Sequence, residues 1–169
     1  VSLNATYYQS STNNQIIPVQ VTPTSGFQAN IINAGEIENK GFELFLSAKI
    51  FDKKFKWNTD VNWSTNRSNV VALVDGVDRL QLRQWFNVGV FAEVGQPFGQ
   101  IYGNAPARDP ETGTKLLLNN GRIRWDSDQY LGNAQADWLG SIRNSFSYKG
   151  FSLSFLIDVK MGGDLYWEK

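Results

Sequence analysis

FELFLSAKIFDKKFKWNTDVNWST, residues 42–65, alternates side-chain character at every step on both sides of one short break. Phe42, Leu44, Leu46, Ala48 and Ile50 fall on one side, with Glu43, Ser47 and Lys49 on the other. After the turn Phe51-Asp52-Lys53-Lys54 the apolar side resumes as Phe55, Trp57, Thr59, Val61 and Trp63, against Lys56, Asn58, Asp60, Asn62 and Ser64. A period of two is the period of a strand, so the segment predicts an antiparallel hairpin.

A second stretch, residues 142–159, repeats the design. Ile142, Phe146 and Tyr148 oppose Ser141, Arg143, Ser145 and Ser147, and Lys149-Gly150 turns the chain. Phe151, Leu153, Phe155, Ile157 and Val159 then oppose Ser152, Ser154, Asp158 and Lys160. Faces this different need two environments. They are either a protein core against bulk water or lipid against a water-filled barrel lumen, and periodicity does not separate the two.

The chain has 169 residues, enough for a single core, and 41% of them are hydrophobic, slightly below the ordinary globular range. Sixteen basic and sixteen acidic residues cancel, so the balance indicates no polybasic patch for nucleic acid or anionic lipid. Cysteine and histidine are absent, which excludes thiol nucleophiles, His-based triads and His/Cys metal sites in this chain. No catalytic residue, metal or cofactor is expected. Val1-Ser2-Leu3 carries neither an initiating methionine nor a signal peptide, which suggests a processed or excised chain, and no run has the length of a transmembrane helix. A β-barrel leaves no hydropathy peak, because lipid-facing residues occupy alternate positions.

Elsewhere Val1 to Tyr8 reads as a strand and Ser10 to Asn14 as a turn. Pro18, Pro23 and Gly26 predict an extended loop over residues 16–32. Gly35 and Gly41 suit either special backbone conformations or a turn and bulge. About 70 residues, Arg67 to Ala136, separate the two hairpins, and a connection that long is expected to hold local structure. Val70 to Val74 suggests a short strand, Asp109 to Gly113 a turn, and Asn119-Asn120-Gly121 the tip of a small hairpin. Gln81 to Gly89 admits a helix of about two turns. No linker or composition shift marks a domain boundary.

Particular strings then add specificity. NAGEIENKGFELFLSAKI at 33–50, GQPFGQIYG at 95–103, DPETG at 109–113, YLGN at 130–133 and NSFSYKGFSLSFLIDVKMGGDLY at 144–166 occur in a distinctive order. Together they resemble the distal barrel region of the SusC/RagA-like TonB-dependent outer-membrane transporters, over nearly the whole chain. The resemblance implies an all-β fold: antiparallel hairpins forming a partial arc of a barrel of about 22 strands, with long extracellular loops. It implies that residues 1–169 are a fragment of the barrel domain without the plug, located in the cell outer membrane. The implied activity is import of glycans or peptides with TonB-derived energy. Implied partners are a SusD-like surface lipoprotein acting as a lid, TonB through an absent N-terminal region, outer-membrane lipid, and the glycan or peptide itself. The short turns would face the periplasm. The segments at 9–39 and 67–136 would form or approach the extracellular side.

Chemistry in the long connection is sparse. Asp126 and Asp128 are the most tempting acid pair, beside Trp125 and Tyr130, but read better as solvated turn formers than as a glycosidase pair. Gly95, Gly99 and Gly103 lack phosphate-loop spacing. Trp85, Phe86, Trp125, Tyr130 and Trp138, with Arg83, Gln84, Arg124, Asp126 and Gln129 nearby, suit either sugar stacking or packing of the loops on each other. Arg83, Trp85, Arg124, Trp125, Asp126 and Tyr130 are the candidate ligand or lid contacts. On the polar hairpin face, Phe45 and Leu156 are interruptions that would suit contact with a plug. The competing reading is a soluble, secreted β-rich module that binds carbohydrate.

Overall fold

Alternation of this kind folds, in a computed structural model that describes residues 1–20, 26 and 29–166, into strands and no described helix. The strands are β1 (Ser2–Gln20), β2 (Ala29–Asp52), β3 (Phe55–Ala72), β4 (Arg79–Trp85), β5 (Val88–Glu93), β6 (Gln100–Pro106), β7 (Trp125–Asn133), β8 (Trp138–Tyr148) and β9 (Phe151–Met161). They form a five-stranded sheet in the order β1-β2-β3-β8-β9 and a four-stranded sheet in the order β4-β5-β6-β7. The chain divides into two compact units, one of residues 1–11, 38–68 and 135–163 and one of residues 12–37, 69–134 and 164–169.

Register fixes the faces of the first unit. Phe55 pairs with Tyr148, Trp57 with Phe146, and Val61 with Ile142. Across the next ladder Phe146 pairs with Leu153, Ile142 with Ile157, and Gly140 with Val159. Directly paired residues share a face, so the apolar sides of β3, β8 and β9 merge into one surface. Its aromatic rings form a chain: Trp57 to Phe146 at 5.6 Å, Phe55 to Phe146 at 6.1 Å and Phe146 to Phe155 at 6.1 Å. The reverse face pairs Asn58 with Ser145, Asp60 with Arg143 and Asn62 with Ser141, and the Ser47 hydroxyl donates to Asp60 Oδ1 at 2.6 Å.

Two polar residues, Thr59 and Asn144, interrupt the apolar face. Asn144, opposite Thr59 and Phe155, is buried, and its Oδ1 accepts a 3.0 Å hydrogen bond from the Trp57 indole N–H. The pair satisfies both groups, which an apolar surrounding demands. Every residue of β9 is nonetheless exposed, including Phe151, Leu153, Phe155 and Ile157. Contiguous exposed apolar side chains of this kind mark an interaction surface.

The turns follow local rules. Lys149 (φ 46°) and Gly150 (φ 86°) both adopt the left-handed region, the requirement of a two-residue hairpin turn whose twist matches its strands. Lys53 and Lys54 close the first hairpin, so its turn is tighter than the break at 51–54 suggested. At Gly35 (φ 54°) an added Cβ would collide with the Ala72 carbonyl. At Gly41 the obstacle would be the Tyr8 ring, which seats over the bare backbone.

Several expectations need correction. Ser10 to Asn14 is not a turn, and β1 continues through Pro18 to Gln20, where a loop was expected. β1 stands first in the sheet order. The remainder of that expected loop, residues 21–25 and 27–28, lies outside the described residues, and β2 begins at Ala29. Val70 to Val74 is not a separate strand, since β3 carries on to Ala72.

The second unit is organised around a small core. Val70, Leu73, Leu80 and Ala92 are buried together, with Val77, Leu82 and Phe98 packed against them. Backbone bonds from Val70 N to Gln96 O (3.0 Å) and Gly95 N to Val70 O (2.8 Å) fasten the GQPFGQ segment there. The expected Asp109 to Gly113 turn is present, with Asp109 Oδ1 accepting from the amides of Glu111 and Thr112. The Asn119-Asn120-Gly121 hairpin is present too, closed by Leu118 N to Arg122 O at 2.8 Å.

Candidate functional site

The long connection folds as the sheet β4 to β7, and its register sorts the candidate residues. Arg79-Leu80-Gln81-Leu82 alternates, whereas Val90-Phe91-Ala92 is an unbroken apolar run closed by Glu93. Leu80 pairs with Ala92 toward the core, which turns Arg79, Gln81, Phe91 and Glu93 to the other face. Gln81 to Gly89 is therefore no helix: it crosses from β4 to β5 through Phe86, whose φ of 46° marks the turn. The cross-strand partners decide this, as tertiary pairing overrides weak local preference.

On that face Arg79 is the central group. Its guanidinium carbon lies 4.0 Å from the centre of the Phe91 ring and 3.8 Å from that of Tyr102, within cation–π range. The two rings meet edge to face at 88°, and Tyr130 continues the row 5.7 Å from Tyr102. Beyond the rings, Arg79 donates two hydrogen bonds to the Asp128 carboxylate, at 2.8 and 2.7 Å. Tyr102 completes the cluster by donating to Glu93 Oε2 at 2.6 Å.

Electrostatics follow from these contacts. The Arg79 hydrogen bonds hold the Asp128 carboxyl below its ordinary range, and Asp128 in turn raises Arg79. Glu93 raises the Tyr102 phenol. Asp128 sits at φ 55°, between register shifts of the β6–β7 ladder, in a bulge that aims its side chain at Arg79.

The residues expected to make ligand or lid contacts appear as three separate pairings. The Arg83 guanidinium lies 4.3 Å over the Trp85 ring. Because Arg83 pairs with Val90 and Trp85 with Val88, both occupy the face opposite Arg79. There Trp85, Val88, Val90, Ile101, Leu165 and Tyr166 border an apolar cavity of about 390 Å³. Arg124 Nε is 3.0 Å from Asp126 Oδ1, and Trp125 between them is exposed and pairs with Pro106. Tyr130 alone joins the Arg79 cluster.

Asp126 and Asp128 are not loop turn formers. Both belong to β7, and each is paired with its own arginine. Trp138 leaves the group altogether, since it lies in β8 opposite Met161. Sequence reading missed Arg79, Phe91 and Tyr102. The alternation at 79–82 was a usable signal for a strand there, but the meeting of these residues depends on pairings between separate strands. Among the described residues, no three His, Cys, Asp or Glu side chains gather as a metal site.

Comparison with known proteins places this geometry. No family model matches the chain. TonB-dependent receptor P3 of Formosa agariphila is 28% identical over 98% of this chain, and TonB-dependent receptor P26 of the same organism is 28% identical over 95%. Two structures of the RagAB system align with it: the peptide importer in its closed-closed state at TM-score 0.68 (22% identity, 95% of this chain) and the peptide transporter at 0.67 (25% identity, 92% of this chain). The chain is SusC/RagA-like along nearly its whole length. The SusC/RagA-like barrel explains the five-stranded sheet as an antiparallel arc of wall with one apolar and one polar side. This chain spans about a fifth of the length of the curated relatives, and 19% of each of the two RagAB chains.

Proposed function

We propose that the chain is a wall segment of an outer-membrane active transporter that imports glycans or peptides with TonB-derived energy. All of residues 1–169 belong to the barrel in this reading, and the plug lies elsewhere in a longer protein. The observation that carries it is the two-sided sheet: apolar side chains, fully exposed along β9 and half-buried across much of β8 and β3, share one face, while the reverse face pairs Asp60 with Arg143 and Asn58 with Ser145. Lipid against an aqueous lumen accounts for both faces at once. Similarity to TonB-dependent receptors and to a peptide importer supports transport rather than covalent chemistry.

The four-stranded sheet then belongs to the extracellular side, where Tyr130, Trp125 and Trp85 offer rings to a ligand or to a SusD-like lid lipoprotein. Arg83, Arg124 and Asp126 supply polar contacts there, and Phe45 and Leu156 of the lumen face meet the plug. No step of this function forms or breaks a covalent bond.

Uptake tests the proposal. Cells depending on the complete transporter for growth on its glycan or peptide should lose growth when β8 and β9 are deleted and keep it when Arg122 is replaced by Gln. Growth that survives loss of β8 and β9 would contradict a wall role.

A further inference from the structure

The overall charge balance hides a local excess. Phe55 pairs with Tyr148, so the turn Lys53-Lys54 before Phe55 and the turn Lys149-Gly150 after Tyr148 lie side by side at one end of the sheet. Within two residues of β3 and β8 at this end stand Lys53, Lys54, Lys56 and Lys149, with Lys49 near the end of β2. All five are exposed, and the one carboxylate among them is Asp52, 4.0 Å from Lys49. Chain order supplies Lys49, Lys53, Lys54 and Lys56, and the pairing of β3 with β8 adds Lys149.

Its surroundings specify a partner. Lys53, Lys54 and Lys149 sit in the turns immediately beyond an aromatic band: Phe51 to Phe55 at 6.0 Å, Phe51 to Trp57 at 6.0 Å and Phe55 to Phe146 at 6.1 Å. Lys149 Nζ lies over the Tyr148 ring, 5.3 Å from its centre, which puts a cation against the end of the band. Rings at this level suit a membrane interface, and cations one step further out suit the phosphates of lipid headgroups. A soluble polyanion would find the charges but have no use for the band.

We infer that the turn end of this sheet, centred on Lys53, Lys54 and Lys149, binds the headgroups of anionic phospholipid in the leaflet it faces. The inference rests on the proposed role as membrane wall. It adds a selective site for lipid charge, worth about 1 kcal/mol for each lysine near an anionic surface, or roughly fivefold.

The test is native mass spectrometry of the complete transporter containing this chain, in neutral detergent, offered phosphatidylglycerol or phosphatidylcholine with identical acyl chains. Phosphatidylglycerol should be retained at least about fivefold better, and raised salt should erase the difference. The exposed triple variant K53Q/K54Q/K149Q should lose the preference and still bind both lipids, while K115Q/R122Q keeps it. Equal retention of the two lipids by the unaltered transporter, or a preference surviving in the triple variant, would overturn the inference and leave the wall role standing. Displacement by soluble glycerol phosphate at the same concentration would overturn it in favour of a free-phosphate site. Retention of neither lipid would overturn both.

Discussion

Arg79 of β4 and Asp128 of β7 lie on the two outer strands of the four-stranded sheet and meet through paired hydrogen bonds of 2.8 and 2.7 Å. Between them the guanidinium crosses Phe91 of β5 and Tyr102 of β6. One side chain thus touches all four strands. The pair is partly exposed, Arg79 at 26% and Asp128 at 64%, so its charge attraction is screened and the ring contacts share the effect.

Replacing Arg79 with Gln should therefore cost about 1 kcal/mol and loosen β7 first. Amide hydrogen exchange at residues 126–131 should speed up by about fivefold, with β8 and β9 unchanged. Arg79→Lys keeps the charge but not the two-pronged geometry, and should recover less than half of the loss.

Acid should act through the same carboxylates. Asp128 and Asp109 both titrate below the ordinary value of 3.8 when folded, Asp128 because of Arg79 and Asp109 because of the Thr112 amide, the Thr112 hydroxyl and the Glu111 amide. A depressed folded pKa means that the unfolded chain takes up protons first, so the stabilisation is complete above the unfolded value and is lost as pH falls through the folded one. Urea unfolding followed by tryptophan fluorescence should be flat from pH 7 to about 5 and weaken below about pH 4. Asp109→Asn keeps an acceptor for the turn and should flatten part of that acid loss.

How much of this was legible in the sequence depended on distance along the chain. The hairpins at 42–65 and 142–159 could be read because period-two alternation and a short turn are local facts, and the left-handed Lys149-Gly150 turn is a local consequence. Asn144 escaped notice because its partner Trp57 lies 87 residues away. The Arg79 cluster escaped for the same reason, and the candidate pair Asp126 and Asp128 was divided between two arginines that no spacing rule connects. Proline at 18 misled because β1 runs on through it to Gln20, and local punctuation does not reveal the pairing that carries a strand past such a residue.

The Asn144–Trp57 bond predicts an asymmetry between single and double replacement. Asn144→Ala leaves the indole N–H without its acceptor on an apolar face and should destabilise by about 1–3 kcal/mol. Replacing both partners, Asn144→Leu with Trp57→Phe, should cost less than the single change. Denaturant unfolding of the chain in detergent measures both.

Gly35 and Gly41 should resist substitution for different reasons. Gly35→Ala meets the Ala72 backbone carbonyl at positive φ and should cost more than about 1 kcal/mol, because neither backbone can yield cheaply. Gly41→Ala should be partly relieved by Tyr8→Ala, which removes the ring above it, although the Thr65 carbonyl remains close. A double-mutant cycle read by thermal unfolding separates the two cases.

The central claim is that the odd-numbered face of β9 meets lipid and the even-numbered face meets water. Single cysteines at Ser154, Phe155, Ile157 and Asp158, introduced into the complete protein with any cysteine elsewhere replaced by Ser, can each carry a nitroxide in membranes of cells producing it. Collision with oxygen, which concentrates in lipid, should be high at 155 and 157, and collision with a water-soluble nickel chelate should be high at 154 and 158. Equal access of the nickel chelate to all four positions would contradict the membrane-wall account.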